Sequence, residues 1–185
     1  AAAFVTCDAG GGLKHVGMRL FNADGTTRTP VIPVNQETAN DQWRSAITSL
    51  AGGNFVVAWE SLGQDGDGYG VYARLFNAGG AALGNEFRLN QETFDDQDTV
   101  AVAALTDGGF VAAWSSYGQD GDYWGVFARR FDAAGNPVDD EFQVNVETFD
   151  YQDYPVVTGT ADGGFNIAWE SWGQDGSAYG IFSRR

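Results

Sequence analysis

Histidine and cysteine are almost absent from this chain: His15 and Cys7 stand alone. A single cysteine excludes an intrachain disulfide. A single histidine leaves too little for a zinc site built on several histidines, a haem pair or a Ser-His-Asp triad. Proline is scarce, with 4 residues against 26 glycines, and no Gly-X-Y period runs through the glycines, which excludes collagen. No apolar run approaches the roughly 18 residues of a membrane span. No signal peptide is visible, and the chain opens Ala1-Ala2-Ala3 without methionine, so it reads as a processed chain or a piece of a longer one. Basic residues are few as well. The formal charge of -15 repels phosphate backbones and anionic lipid, which argues against nucleic-acid and membrane-surface binding. Such a surface favours cations, basic partners or plain solubility.

What the chain has is a period. With 185 residues it can bury a core as one domain. Gly63-Gln64-Asp65-Gly66 returns as Gly118-Gln119-Asp120-Gly121 and as Gly173-Gln174-Asp175-Gly176, a spacing of 55 residues. Trp59, Trp114 and Trp169 keep that spacing, as do Asn35, Asn90 and Asn145, Glu37, Glu92 and Glu147, and Gln42, Gln97 and Gln152. Self-similarity at this period marks a repeat architecture. The chain divides into a partial unit over 1–43, units over about 44–98 and 99–153, and a partial unit over 154–185, all in one repeat domain.

Each unit reads as four short strands with essentially no helix, because no segment holds a 3.6-residue apolar period. In the middle unit these are Thr99 to Leu105, Phe110 to Ser116, Gly125 to Phe131 and Glu141 to Asn145, joined by Asp-Gly, Gly-Gly and glycine-rich turns. The second strand is apolar on both faces, as strands packed between other sheets are. About fourteen strands result. The expected class is all-β: tandem antiparallel four-stranded units, β-propeller-like, partial or completed by oligomerisation. A threefold β-trefoil or β-prism is the rival. Three units do not close a ring, and an open edge invites association, so an oligomer or a larger surface assembly is the expected partner.

The candidate residues fall into three groups. Asp65 with Asp67, Asp120 with Asp122, and Asp175 alone sit on glycine-rich turns, where carboxylates and carbonyls can converge on calcium. The competing reading is a tight turn whose aspartate caps backbone amides. No acidic twelfth EF-hand ligand follows. Tyr69, Tyr117, Tyr123, Trp124, Trp172 and Tyr179 are aromatics beside Asp, Asn and Gln, the composition with which lectins stack and hydrogen-bond sugars; repetition would add avidity. The mannose-lectin pattern Q-x-D-x-N-x-V-x-Y is not met. Trp59, Trp114 and Trp169 are expected in the core or between units. Arg74, Arg129 and Arg184, each beside aromatics, are expected to be structural, stacking or pairing with Glu37, Glu92 and Glu147. The repeated glutamine reads as a buried amide that bridges backbone segments.

Over nearly the whole chain after residue 15, the repeat typified by Asp107 to Asp132 resembles a G-Q-D-G-type repeat of large secreted bacterial proteins that carry calcium-binding or adhesin-like modules. The resemblance implies an extracellular, cell-surface or periplasmic β-rich array for attachment, structure or glycan contact, and carries over no catalytic residue. The expected function is a non-enzymatic structural, adhesive or assembly module. The alternatives are a multivalent lectin-like module and an accessory domain of a secreted enzyme.

Overall fold

A computed structural model describes residues 1–7 and 11–185. Fourteen strands make four antiparallel sheets. The first holds β1 (Ala2–Cys7), β2 (Lys14–Arg19) and β3 (Ile32–Pro33). The second holds β4 (Gln42–Ser49), β5 (Phe55–Leu62), β6 (Tyr69–Phe76) and β7 (Phe87–Arg88). The third repeats it with β8 (Gln97–Ala104), β9 (Phe110–Tyr117), β10 (Trp124–Phe131) and β11 (Phe142–Gln143). The fourth holds β12 (Gln152–Gly159), β13 (Phe165–Trp172) and β14 (Tyr179–Arg184). Within each sheet the strands meander in sequence order, and β4, β8 and β12 lie side by side as the inner strands. This is the all-β, propeller-like arrangement expected from the repeat, in place of the trefoil or prism. The outermost strand is shorter than the sequence suggests, two residues where five were expected. Among the described residues no helix is long and apolar enough to cross a membrane.

The second strand of each blade explains why the blades stack. Phe55, Val57 and Trp59 alternate with Val56 and Ala58, and all five are buried. The odd set packs with Val16, Met18 and Leu20 of the first blade. The even set packs with Phe110, Ala112 and Trp114 of the third. Trp169 seals the next seam with Val111, Ala113 and Val126. At the later two seams a large ring meets small residues of its neighbour, Trp114 with Ala58 and Ala73 and Trp169 with Ala113 and Ala128, the complementarity a dense core needs. The three tryptophans sit between units, as expected.

The arginines of the third strands cross the same seams. Arg74 Nη1 donates to Val34 O of the preceding blade (3.0 Å) and Nε to Gly84 O (2.9 Å). Arg129 repeats this with Leu89 O and Asp139 O, and Arg184 with Val144 O. Arg74 also lies 5.7 Å from the Phe76 ring centre, and Arg129 is the same distance from Phe131. Their partners are these carbonyls and not Glu37, Glu92 and Glu147. The side chain is long enough to pass the linking segment and reach backbone carbonyls. Those glutamates instead turn back on their own segment: Glu37 Oε1 accepts from Thr38 and Ala39 N–H, and Glu92 Oε1 from Thr93 and Phe94 N–H. Arg74→Met keeps the stem and removes two charge-assisted bonds. It is expected to lower unfolding stability by about 1–3 kcal/mol in denaturant titration; an unchanged midpoint would show that the seam does not need it.

Candidate functional site

The Gly-Gln-Asp-Gly turn joins the second strand to the third, on the end of the molecule where the linking segments enter the inner strands. Gly63 and Gly66 take positive φ of 69° and 113°, which lets the chain fold back tightly. Asp65 Oδ2 accepts from Asn90 Nδ2 (3.0 Å), and Nδ2 also donates to Gln97 Oε1 (2.9 Å) while Asn90 Oδ1 accepts Val71 N–H (3.0 Å). The next copy repeats this with Asp120, Asn145, Gln152 and Val126. The glutamines are fully buried and donate to backbone carbonyls, Gln97 to Phe94 O and Gln152 to Phe149 O, the bridging role expected of them. The glycine that opens the third strand makes room: a Cβ on Gly125 would lie 2.5 Å from Asp120 Oδ2.

The second aspartate of each turn faces elsewhere. Asp67 Oδ2 accepts from Asp95 N–H (3.2 Å) and Asp122 Oδ2 from Asp150 N–H (2.8 Å); the third turn has Ser177 at this position, and its N–H is donated to Asp175 Oδ1, on the first aspartate of that turn. Asp95 and Asp150 have φ of 61° and 68°, so this bond holds a left-handed backbone in the following linking segment. The two carboxylates of a turn therefore do not converge. Among the described residues no group of three or more His, Cys, Asp or Glu side chains is placed to hold a metal ion, and this donor set does not fit the six to eight oxygens calcium takes. Gln64 is a latch too. Its Nε2 donates to Glu86 Oε1 (2.7 Å), and Glu86 accepts the backbone N–H groups of Gln36 and Glu37 from the preceding blade. Gln119 and Glu141 repeat the contact. Gln174 makes no such bond among the described residues.

The aromatic candidates gather at this end but in separate groups. Tyr123 stacks on Tyr151 with centres 5.0 Å apart, and Tyr117 stands edge-on to Trp124. Trp172 and Tyr179 meet edge-on at 4.9 Å and are 41% and 54% exposed. Tyr69 is half-buried, with its N–H donated to Asp96 Oδ1. A cavity of about 250 Å³ lies between linking segment and turn, lined by Glu147, Phe149, Asp150, Trp172, Gly173 and Gln174.

A second cluster lies at the axis, along the inner strands. Each inner strand is bulged just after it begins, and Arg44, Thr99 and Tyr154, 55 residues apart, take φ of 28°, 53° and 54°. A β-branched residue at positive φ is a true outlier, which the surrounding structure must enforce. Glu60 Oε1 accepts Thr99 N–H (2.7 Å) across the seam between the second and third blades. Thr99 Oγ1 and Ser115 Oγ are 2.6 Å apart, and Ser115 Oγ donates to Asp153 Oδ1 (2.5 Å). Arg44 Nη1 is 3.9 Å from Glu60 Oε1 and 3.8 Å from Asp98 Oδ2. Burial pushes the Glu60 carboxyl up to about 7, and burial with the nearby Asp153 charge pushes Asp98 up to about 6.

No protein-family model and no curated protein matches the chain. Among solved structures it is similar to a protein of unknown function from Dyadobacter fermentans, with 12% identity and a TM-score of 0.69 over 98% of this chain and 48% of that one. It is also similar to an α-L-arabinofuranosidase from Lactobacillus brevis (10%, TM-score 0.54, 98% of this chain and 67% of that one). An endo-arabinase from Bacteroides thetaiotaomicron gives 13% and 0.52, over 92% of this chain and 65% of that one. The chain thus spans about half of the first and two thirds of the others. At these identities the likeness is one of fold alone.

Two outcomes follow from this geometry. Gly125→Ala drives a methyl into the Asp120 carboxylate and is expected to lower stability by about 1–3 kcal/mol. Gly84→Ala, with open space at its Cβ, is the near-neutral control; equal denaturation midpoints for the two would refute the fit. For Glu60, whose proton affinity rises on folding, stability is fully present below its unfolded value near 4.5 and is lost as pH climbs through about 7. Glu60→Gln keeps an acceptor for Thr99 and cannot ionise. It is expected to unfold at higher temperature than the parent at pH 8, by about 3 kcal/mol, with little difference at pH 4; a parental or lower melting temperature at pH 8 refutes this.

Proposed function

We propose that this chain is a non-catalytic, multivalent glycan-binding propeller module serving attachment at an extracellular surface, within a larger assembly. The observation that carries the reading is the groove between linking segment and turn. There the exposed indole of Trp172 stands beside Phe149, with the Glu147 and Asp150 carboxylates and the Gln174 amide at its edge. A sugar ring presents an apolar face and a rim of hydroxyls. An exposed aromatic with carboxylate and amide partners answers both, and sites of this type are concave with a few placed polar groups. The same residue types recur at Glu92, Phe94 and Tyr117, with Gln119 there held by Glu141, and several weak sites add by avidity. The acidic surface favours neutral or cationic glycans over sulfated or uronate-rich ones.

A catalytic reading has one observation behind it, the two buried carboxyls Glu60 and Asp98 with raised proton affinity. Against it, Glu60 is already committed to the Thr99 N–H, and the Arg44 guanidinium lies beside both acids.

Glycan-array screening followed by calorimetry is the test. Neutral oligosaccharides are expected to bind without being cleaved. Trp172→Ala and Gln174→Ala are each expected to weaken binding about tenfold, the equivalent of about 1.4 kcal/mol. Absence of any glycan ligand, or turnover of the bound one, would overturn the reading.

A further inference from the structure

The first blade departs from its copies at a group of linked positions. Gly17 stands where the other blades carry an aromatic ring, Tyr72, Phe127 and Phe182. Val31 replaces Glu86 and Glu141, and Gly10 replaces the turn aspartates Asp65, Asp120 and Asp175. One group is kept. Asn35 matches Asn90 and Asn145 and is oriented as they are, with Oδ1 accepting Val16 N–H (2.7 Å).

Keeping the amide without its partners leaves a donor unmatched. Asn90 Nδ2 donates to Asp65 Oδ2, Glu92 O and Gln97 Oε1, and Asn145 repeats all three bonds. Asn35 Nδ2 keeps only the backbone bond, to Glu37 O (2.6 Å), and lies 3.5 Å from His15 Nδ1. Gln42 Oε1, the counterpart of Gln97 Oε1, accepts Trp59 Nε1–H instead. Among the described residues no carboxylate takes the second Asn35 N–H, although the residue is only 8% exposed.

A cavity of about 290 Å³ opens beside this amide, and its lining includes His15, Gly17, Val31 and Pro33 but no carboxylate. Asp41, the acid whose charge reaches His15, is held by Lys14 N–H and Nζ. The copies show what occupies such a space. A Cβ on Gly180, the counterpart of His15, would lie 2.8 Å from Asp175 Oδ2 and 2.9 Å from Phe182 Cε2, so a carboxylate and a ring edge converge there. In the first blade both are gone. His15 takes part of their space, and the cavity is what it leaves. A ligand that restores both groups carries a carboxylate beside an aromatic ring.

We infer that this cavity binds a small aromatic carboxylate, its carboxylate on the Asn35 amide beside His15 and its ring on Gly17, Val31 and Pro33. The site uses neither Trp172 nor Gln174, so it stands or falls apart from the glycan reading.

The test titrates benzoate and phenylacetate into the isotope-labelled chain and follows amide shifts at 6, 15–17, 31 and 35–38. Both are expected to shift this group. Benzamide keeps the ring without the charge, and acetate keeps the carboxylate without the ring; each is expected to bind weaker by about tenfold or more. A Gly-Phe dipeptide with a free C-terminus separates the two sources of this chemistry. Binding tighter than phenylacetate assigns the site to a C-terminal aromatic residue, and binding no tighter assigns it to a free aryl acid. Val31→Glu returns the copies' carboxylate to a position 40% exposed and is expected to abolish the response. Gly17→Phe returns the ring and is expected to do the same, while Trp172→Ala leaves the response unchanged. Circular dichroism checks the folds, and Val31→Glu decides alone if Gly17→Phe does not fold. Benzamide binding as well as benzoate overturns the carboxylate, acetate binding as well overturns the ring, and absence of shifts at these amides overturns the site.

Discussion

A strand buried on both faces cannot be completed by its own sheet, and that constraint governs this molecule. β5 and β9 each leave one apolar face to the blade before and one to the blade after. Burial of large aromatics such as Trp59 and Trp114 against the neighbouring blade is worth about 1.5–3 kcal/mol per side chain, but it is not directional. Direction comes from the polar groups at the seams. The Asp-Asn-Gln network, the Gln-Glu latch and the arginine that reaches back to a carbonyl each join a turn or strand of one blade to backbone of another. Polar networks of this kind set a unique register where hydrophobic contact alone would allow sliding.

The same device explains why the rim and the axis differ in character. At the rim most acids are occupied with backbone N–H groups, so the charge of the turns serves the fold, and the remaining freedom lies with exposed aromatics. At the axis an Asp98 oxygen is buried without a partner, beside three bulges in left-handed backbone. Strain and incomplete pairing concentrate at one place, and the repeat pays for them with the regularity of the surrounding seams.

The period, the turns, the two-faced second strand and the inter-unit tryptophans were legible because each leaves a mark every 55 residues. The partners of Arg74 and Arg129 were not, since a backbone carbonyl has no letter of its own. The paired aspartates of the turns looked like converging ligands because they are close in sequence. Alternation on a tight turn sends Asp65 to Asn90 and Asp67 to Asp95 instead. The axial group was hidden because its members are far apart along the chain: Asp98 and Asp153 recur at the period, but nothing in the letters says that Arg44 and Glu60 lie beside Asp98.

The latch between a turn and its completing residues runs forward along the chain. Asp65 waits for Asn90 and Asp67 for Asp95, 25 and 28 residues later. A blade leaving the ribosome therefore has its strands before it has its fasteners, and each one closes only when the following linking segment has emerged. Synthesis then proceeds like a zip, with one unfinished blade always at the exit and finished ones behind it, so the length of chain exposed in an incomplete state stays below one repeat however many repeats are strung together.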